Sequence, residues 1–214
     1  MKTAGGIIMQ KSMSKTQHLT FLAILTAIII LMSFTPLGYL KTGGLEITFI
    51  LLPVAIGATV LKPSDGAILG GIFGITSFIQ CFGISPFGAV LLSINWFYTL
   101  IVCLIPRILA GWLGGLIFAG LQKIDKTKFI SYAVSCLATP IFNTLFFMSS
   151  LVIFFYNTEY IQGLVTALGA SNVLTFVVAF VGINGVIEAL VCFVAGTAIS
   201  KALAVSMKKI SAQK

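Results

Sequence analysis

The sequence predicts an all-α integral membrane protein with six transmembrane helices and both termini in the cytoplasm. Hydrophobic residues make up 58% of the 214 residues and charged residues only 8%, whereas soluble domains carry about 25% charged residues. Long apolar runs fill most of the chain, and the basic residues cluster between them. Residues 1–214 are therefore predicted to form a single membrane domain, with cytoplasmic tails at 1–16 and 205–214.

Six apolar runs, bounded by glycine, proline and charge, are predicted to cross the bilayer. A helix of about 20 residues crosses it once, so six spans leave no room for a separate soluble catalytic domain. The predicted spans are His18–Leu37, Gly44–Leu61, Gly66–Phe82, Trp96–Leu121, Phe129–Tyr156 and Leu174–Ala204. The second and third are short for a full crossing, so we expect them to be tilted, bent or partly buried against neighbours.

The basic residues orient the predicted bundle. With a cytoplasmic N-terminus, eleven of the thirteen Lys and Arg residues fall in inner segments. The outer loops hold only Lys41, and Arg107 lies inside the fourth span. Cytoplasmic loops of membrane proteins carry an excess of Lys and Arg, so this asymmetry predicts that both termini are inside. The same distribution argues against a nucleic-acid partner, because the lysines form no single basic stripe.

Three outer segments differ in composition from the inner ones. Gln80–Asn95 is uncharged and contains glycine, proline and aromatic residues, and Tyr39–Glu46 is a glycine-containing loop. Asn157–Val173 is predicted to carry a short interfacial helix. Long, partly apolar loops on one side suggest a lid over a pocket, although they can also simply connect helices at the interface.

Two ionisable residues lie deep in predicted spans. Arg107 and Glu188 are each about eleven to fourteen residues from the outer end of their helix, which places both near the midplane at a rise of ~1.5 Å per residue. Ionisable groups at this depth are functional candidates by default. They can pair with each other to fix helix register, or Arg107 can bind the carboxylate of a ligand through its planar guanidinium.

Further polar and aromatic residues extend this candidate site. Asn95, Asn143 and Asn184 come from three different spans and would need partners in a dry interior, either between helices or with a ligand. Trp96 and Phe147 are candidate aromatic walls, and Lys41 is the basic residue of the outer loops. A mostly apolar pocket with a few placed polar groups is typical of a small-molecule site.

The sequence contains no motif that indicates an enzyme. No HExxH, GxSxG, Walker A or paired-carboxylate pattern occurs, and the four cysteines have no metal-like spacing. We therefore predict no catalytic residue, no metal and no cofactor in this chain. If the protein moves a solute uphill, an ion gradient or a partner subunit must supply the energy.

Small residues form two stripes at helical spacing. Ala23 and Ala27 lie on one face of the first span, and Gly66, Gly70 and Gly74 repeat every four residues in the third. Small residues allow helices to approach closely. Spacing alone leaves open whether each stripe packs inside the protein or against another chain.

The chain resembles the substrate-binding S-components of energy-coupling factor (ECF) vitamin transporters. Its size, its six spans and the Ala23-x-x-x-Ala27 pair match, and the best match is Ile47–Gln80, ITFILLPVAIGATVLKPSDGAILGGIFGITSFIQ. The resemblance implies a multi-pass protein of the cell membrane that binds a vitamin on its outer side. It further implies partnership with a transmembrane coupling protein and two cytoplasmic ATPases, which bind the ATP, and that Ala23 and Ala27 face the coupling protein.

The segments TPLGYL and LPVAIGA look most like the pantothenate branch of that family. A carboxylate-bearing vitamin would also give Arg107 a ligand. Folate, riboflavin, niacin, pyridoxine and hydroxymethylpyrimidine stay open as alternative ligands. A stand-alone secondary transporter is an alternative of another class, although such proteins usually contain internal repeats and none is evident here. An intramembrane enzyme or assembly scaffold is a third alternative, disfavoured because no nucleophile–base pair is present.

Overall fold

The computed structural model describes residues 13–42, 45–125, 127 and 129–212, and it is almost entirely helical. The predicted tail at 1–16 lies mostly outside the described residues, and so do the last two residues of the chain. The helices are α1 Lys15–Phe34, α2 Leu51–Val60, α3 Pro63–Gln80, α4 Pro86–Ile94, α5 Trp96–Leu121, α6 Ile130–Phe155, α7 Glu159–Ala167, α8 Val173–Val191 and α9 Thr197–Ala212. A π-helical turn, Cys192–Gly196, joins α8 to α9.

Four helical stretches in the described part of the chain are long and apolar enough to cross a membrane. They are Lys15–Phe34, Trp96–Leu121, Ile130–Phe155 and Asn184–Met207. Two shorter apolar helices, Leu51–Val60 and Val173–Gly182, accompany them. The bounds of α1, α3, α5 and α6 lie within three residues of predicted spans.

The second predicted span is only partly helical. Strands β1 Tyr39–Thr42 and β2 Leu45–Thr48 pair antiparallel as a hairpin, with Tyr39 opposite Thr48, and α2 begins only at Leu51. The described residues of the predicted loop Tyr39–Glu46 therefore belong to this hairpin.

The last predicted span, Leu174–Ala204, is interrupted. Gly182 has φ 38° and ψ −132°, which breaks the helical path inside α8. Residues with a side chain rarely adopt this left-handed region, whereas glycine does so at little steric cost. The break shortens the membrane-length stretch to Asn184–Met207.

The glycine stripe of α3 packs inside the protein, directly against α5. A Cβ added at Gly66 would come within 2.5 Å of the Gly111 carbonyl oxygen, and one added at Gly70 would overlap the Arg107 carbonyl. Gly74 meets Cys103 and Leu104 in the same way. The two backbones therefore touch because α3 lacks side chains along this line, and the contact fixes α5 at the height of Arg107.

This contact predicts that alanine substitutions at two adjacent glycines of α3 have different effects on stability. Gly70→Ala should lower the free energy of unfolding by about 1–3 kcal/mol, the usual effect of overpacking. Gly71→Ala is the matched control, because its Cβ would lie 3.6 Å from an Ile108 side-chain atom, and alanine favours helix over glycine by about 1 kcal/mol. Thermal unfolding in detergent measures both variants. Equal melting temperatures would contradict this packing.

Helix α1 is tied to α3 at both ends, and one face of its middle is exposed. Near its start, His18 Nε2 lies 2.8 Å from Asp65 Oδ2. Near its end, Ser33 Oγ donates to Thr76 Oγ1 at 2.9 Å, and Gln80 Nε2 donates to the Ser33 carbonyl. Between these links, Ala23 and Ala27 are exposed.

Two apolar clusters hold the bundle together. The larger cluster centres on α1, α2 and α3 and includes Ile29, Val54 and Phe73. The smaller cluster joins α4, α5, α6, α7 and α8, with Val102 and Phe155 at its centre. Residues of both clusters contribute to the cavity described next.

Candidate substrate-binding cavity

A cavity of about 820 Å³ lies among α3, α5, α6 and α8 and reaches residues of α4 and α7. Small-molecule sites commonly measure about 300–1,000 Å³. Five residues predicted for the site from sequence line this cavity: Arg107, Asn143, Phe147, Asn184 and Glu188. They come from three different helices, so the fold gathers side chains that are up to 81 positions apart in the sequence.

Arg107 carries the positive charge of the cavity wall. The residue is 9% exposed, and its Nη1 donates to the Val102 carbonyl at 2.5 Å. Its guanidinium carbon lies 4.8 Å from the ring centroid of Phe147 and 5.5 Å from that of Phe73. Its Nε–H has no hydrogen-bond partner within the described residues. The aromatic rings hold the guanidinium in place while leaving hydrogen-bonding capacity unused.

Glu188 binds the backbone of the hairpin. Its Oε1 accepts a hydrogen bond from the Thr48 N–H at 3.0 Å. Where the structure describes the chain, no ion pair links Glu188 to Arg107. Of the two arrangements that the sequence left open, the Arg107–Glu188 ion pair is absent from the described residues, where Glu188 instead binds the Thr48 backbone.

Two asparagines add neutral polar groups to the cavity. Asn143 is 7% exposed, and its Oδ1 has no partner in the described part of the protein. Asn184 and Gly185 line the cavity directly after the break at Gly182. Interrupted helices in membrane proteins are tolerated where they face a cavity rather than lipid. The positive end of the restarted helix therefore lies at the cavity wall.

Helices α4, α7 and α8 supply aromatic side chains that were not predicted for the site from sequence. Phe87 of α4 lies 6.0 Å from Tyr160 of α7 and 5.4 Å from Phe180 of α8, measured between ring centroids. All three line the cavity. Helical spacing was the available signal, because Tyr160, Leu164 and Leu168 repeat every four residues and all line the cavity.

Three other predicted site residues do not contribute a described side chain to the cavity. Asn95 caps α5, where its Oδ1 accepts hydrogen bonds from the Phe97 and Tyr98 N–H groups at 3.0 and 3.1 Å. Trp96 is 63% exposed and lies outside the lining. The backbone of Lys41 belongs to β1, but its side chain lies outside the described residues.

Replacing Asn143 is expected to weaken ligand binding without lowering the stability of the protein. Asn143→Leu removes a buried amide whose oxygen has no partner among the described residues, so the ligand-free protein should unfold at the same or a higher temperature. A ligand that hydrogen-bonds this amide should bind more weakly by about 1–3 kcal/mol. Calorimetric titration and thermal unfolding of the same preparation measure both effects. A large loss of ligand-free stability would contradict the prediction and give Asn143 a structural role.

The fold describes a multi-pass membrane protein with a cavity of small-molecule size between its helices. The family model for the ECF transporter substrate-specific component matches residues 17–199. The chain therefore belongs to the family of ECF transporter substrate-specific components. The family resemblance predicted from the sequence is confirmed.

Two relatives are similar to this chain at modest identity. The pantothenic acid transporter PanT of Lactococcus lactis subsp. cremoris is 28% identical over 181 residues, which cover 77% of this chain and 88% of that protein. The pantothenate transporter PanT of Leuconostoc mesenteroides subsp. mesenteroides is 34% identical over 112 residues, or 50% of this chain and 53% of that protein. These relatives and the family support a role in transport rather than catalysis.

Proposed function

We propose that this chain captures pantothenate outside the cell and delivers it inward through an ECF-type transporter driven by partner ATPases. The observation that carries the proposal is the buried Arg107 side chain, which lines the cavity and whose Nε–H has no hydrogen-bond partner among the residues that the structure describes. Pantothenate ends in a carboxylate, the group that a guanidinium binds best. Two relatives named as pantothenate transporters give the ligand its second line of support.

In this proposal, Arg107 binds the pantothenate carboxylate. An unpaired buried cation is unfavourable, and a charge-assisted hydrogen bond to a carboxylate offsets much of that penalty. Phe73 and Phe147 already position the guanidinium. The helix that restarts at Asn184 contributes a further positive end to the same wall, which favours an anionic ligand.

The remainder of pantothenate suits the rest of the lining. Its amide and two hydroxyl groups need both donors and acceptors, and Asn143, Thr144 and Asn184 offer both at the cavity wall. Its branched carbon chain needs apolar cover, which Phe87 and Tyr160 supply from the outer segments. Amides and hydroxyls each donate and accept hydrogen bonds, so they can satisfy the ligand groups on either side.

We further propose that the chain crosses the membrane six times with both termini in the cytoplasm. The uneven distribution of Lys and Arg supports this orientation, since eleven of thirteen lie in the segments that would be inside. The cavity then opens toward the outer loops, where α4 and α7 lie. Pantothenate would enter from outside, past these two short helices.

The exposed face of α1 is the proposed contact with the coupling protein. Ala23 and Ala27 are exposed on a helix that is otherwise tied to α3 at both ends. Two small residues four positions apart allow another helix to approach closely. This chain carries no nucleotide-binding motif, so the proposed ATP hydrolysis takes place on partner subunits.

Uptake of labelled pantothenate by cells that lack their own transporter tests this function. The chain is produced alone, with a coupling protein and two ATPases, and with the same module carrying an inactive ATPase. We expect uptake only with the complete active module, and we expect only unlabelled pantothenate to compete. Competition by nicotinate, folate or riboflavin would assign a different vitamin. Uptake by the chain alone would indicate a secondary transporter.

A further inference from the structure

Two cysteines face each other in the wall of the cavity. Cys81 directly follows α3, and Cys103 lies near the start of α5. Their Sγ atoms are 3.8 Å apart, and both residues are free thiols that line the cavity. The two residues are only 3% and 6% exposed, so a reagent would reach them from the cavity.

We propose that Cys81 and Cys103 form a redox-active dithiol, which a small disulfide entering the cavity oxidises to an intramolecular disulfide that weakens ligand binding. The effect on binding rests on the proposed function, whereas the thiol chemistry does not. A disulfide requires an S–S distance of about 2.05 Å. The two sulfurs already touch, so side-chain rotation with a small backbone adjustment can bring them together.

The surroundings indicate which thiol reacts first. Cys103 and Arg107 are four residues apart on α5 and share one face of the helix. The thiol of Cys81 donates its S–H to the Ser77 carbonyl oxygen at an Sγ–O distance of 3.4 Å. Because this hydrogen bond engages Cys81, the proposal takes Cys103 as the attacking thiol and Cys81 as the resolving one.

The exchange balances with a small disulfide, R–S–S–R, as the oxidant. Cys103 loses its proton and attacks one sulfur of the reagent, which breaks the S–S bond of the reagent, forms a mixed disulfide on Cys103 and releases the other sulfur as RSH after proton uptake. Cys81 then loses its proton and attacks Cys103 Sγ, which forms the protein disulfide and releases the second RSH. The two protein thiols are oxidised, and the reagent is reduced to two thiols.

Formation of the disulfide is expected to change the cavity wall, because α4 packs against Cys81. A Cβ added at Gly88 would lie 2.6 Å from Cys81 Sγ, so the α4 backbone packs directly on this sulfur. Rotation of Cys81 toward Cys103 changes the contact between its sulfur and α4. Helix α4 also carries Phe87, one of the aromatic residues that line the cavity. Oxidation therefore alters the position of a cavity-lining segment as well as the dithiol itself.

The test uses the full chain in detergent and 2-hydroxyethyl disulfide, a small neutral probe. In a Cys136→Ala/Cys192→Ala background, only the proposed pair remains of the four cysteines, and neither replaced residue lines the cavity. After treatment, maleimide labelling and intact mass count the free thiols. Pantothenate affinity is measured before and after treatment, and again after reduction. Cys103→Ala in the same background shows what modification of Cys81 alone does.

We expect loss of both thiols, a mass lower by two hydrogens, and a reversible drop in affinity of about tenfold, comparable to losing one hydrogen bond. Cys103→Ala should form no internal disulfide. The redox-active dithiol would be contradicted if both thiols still react with maleimide after treatment. A stable mixed disulfide in place of the internal disulfide would contradict it as well. An internal disulfide with unchanged affinity would overturn its effect on binding. If the reduced protein does not bind pantothenate at all, the proposed function fails while the thiol result still stands.

Discussion

Replacing Arg107 with alanine is expected to weaken pantothenate binding by about 2–5 kcal/mol, or roughly 30-fold to several thousand-fold. The reason is that the carboxylate would lose its charged partner while still being desolvated in the cavity. Arg107→Lys retains the charge but not the planar fork, and should fall between alanine and the original residue. Isothermal titration of the purified chain measures all three proteins.

Lys201→Ala is the matched control for this experiment. Lys201 Nζ lies 4.7 Å from the Phe129 ring centroid, close to the 4.8 Å between Arg107 and Phe147, but it does not line the cavity. Its replacement removes one positive charge and one cation–π contact, and should leave affinity unchanged. Equal effects of the Arg107 and Lys201 variants would show that net charge, rather than a specific contact, governs binding. An unchanged affinity in Arg107→Ala would return Arg107 to a structural role.

Replacing both Ala23 and Ala27 with tryptophan is expected to abolish uptake while leaving pantothenate binding intact. Both alanines are exposed on α1 and outside the cavity lining. Two large indoles would prevent close approach of a partner helix, since such contacts depend on small residues. Transport assays with the complete module and titration of the isolated chain separate the two effects.

Ala198→Trp provides the control for bulk alone. Ala198 is an exposed alanine on α9, so this change adds the same side chain to another helix. We expect normal binding and normal uptake. Normal uptake by the Ala23/Ala27 double variant would remove the partner surface from α1, and loss of binding would place those alanines in the support of the cavity.

Much of the site could be predicted because charge in an apolar run is conspicuous. Arg107 and Glu188 are identified for that reason, and Asn143 and Asn184 because their amides lie within predicted spans. The hydrogen-bond and ion-pair partners of these residues could not be predicted from the sequence. Whether Glu188 meets Arg107 or the Thr48 backbone depends on where the hairpin lies, and that position follows from tertiary packing rather than local pattern.

Where the structure departs from the sequence interpretation, the causes are local. Asn95 precedes the first residue of an apolar helix, which is a typical N-cap position, and its side chain caps α5. The break at Gly182 could not be predicted, because glycine inside a helical run is compatible with both a continuous and a broken path. The hairpin could not be predicted from the sequence, because strands of four residues show little hydrophobic periodicity.

The central claim is that Arg107 selects a carboxylate in this cavity, and a comparison of two ligands tests it most directly. Pantothenate and pantothenyl alcohol differ only in that a hydroxymethyl group replaces the carboxylate. Titration of the purified chain should give tight binding of pantothenate and at least ~30-fold weaker binding of the alcohol. Equal affinities for the two compounds, or no binding of pantothenate, would contradict the claim.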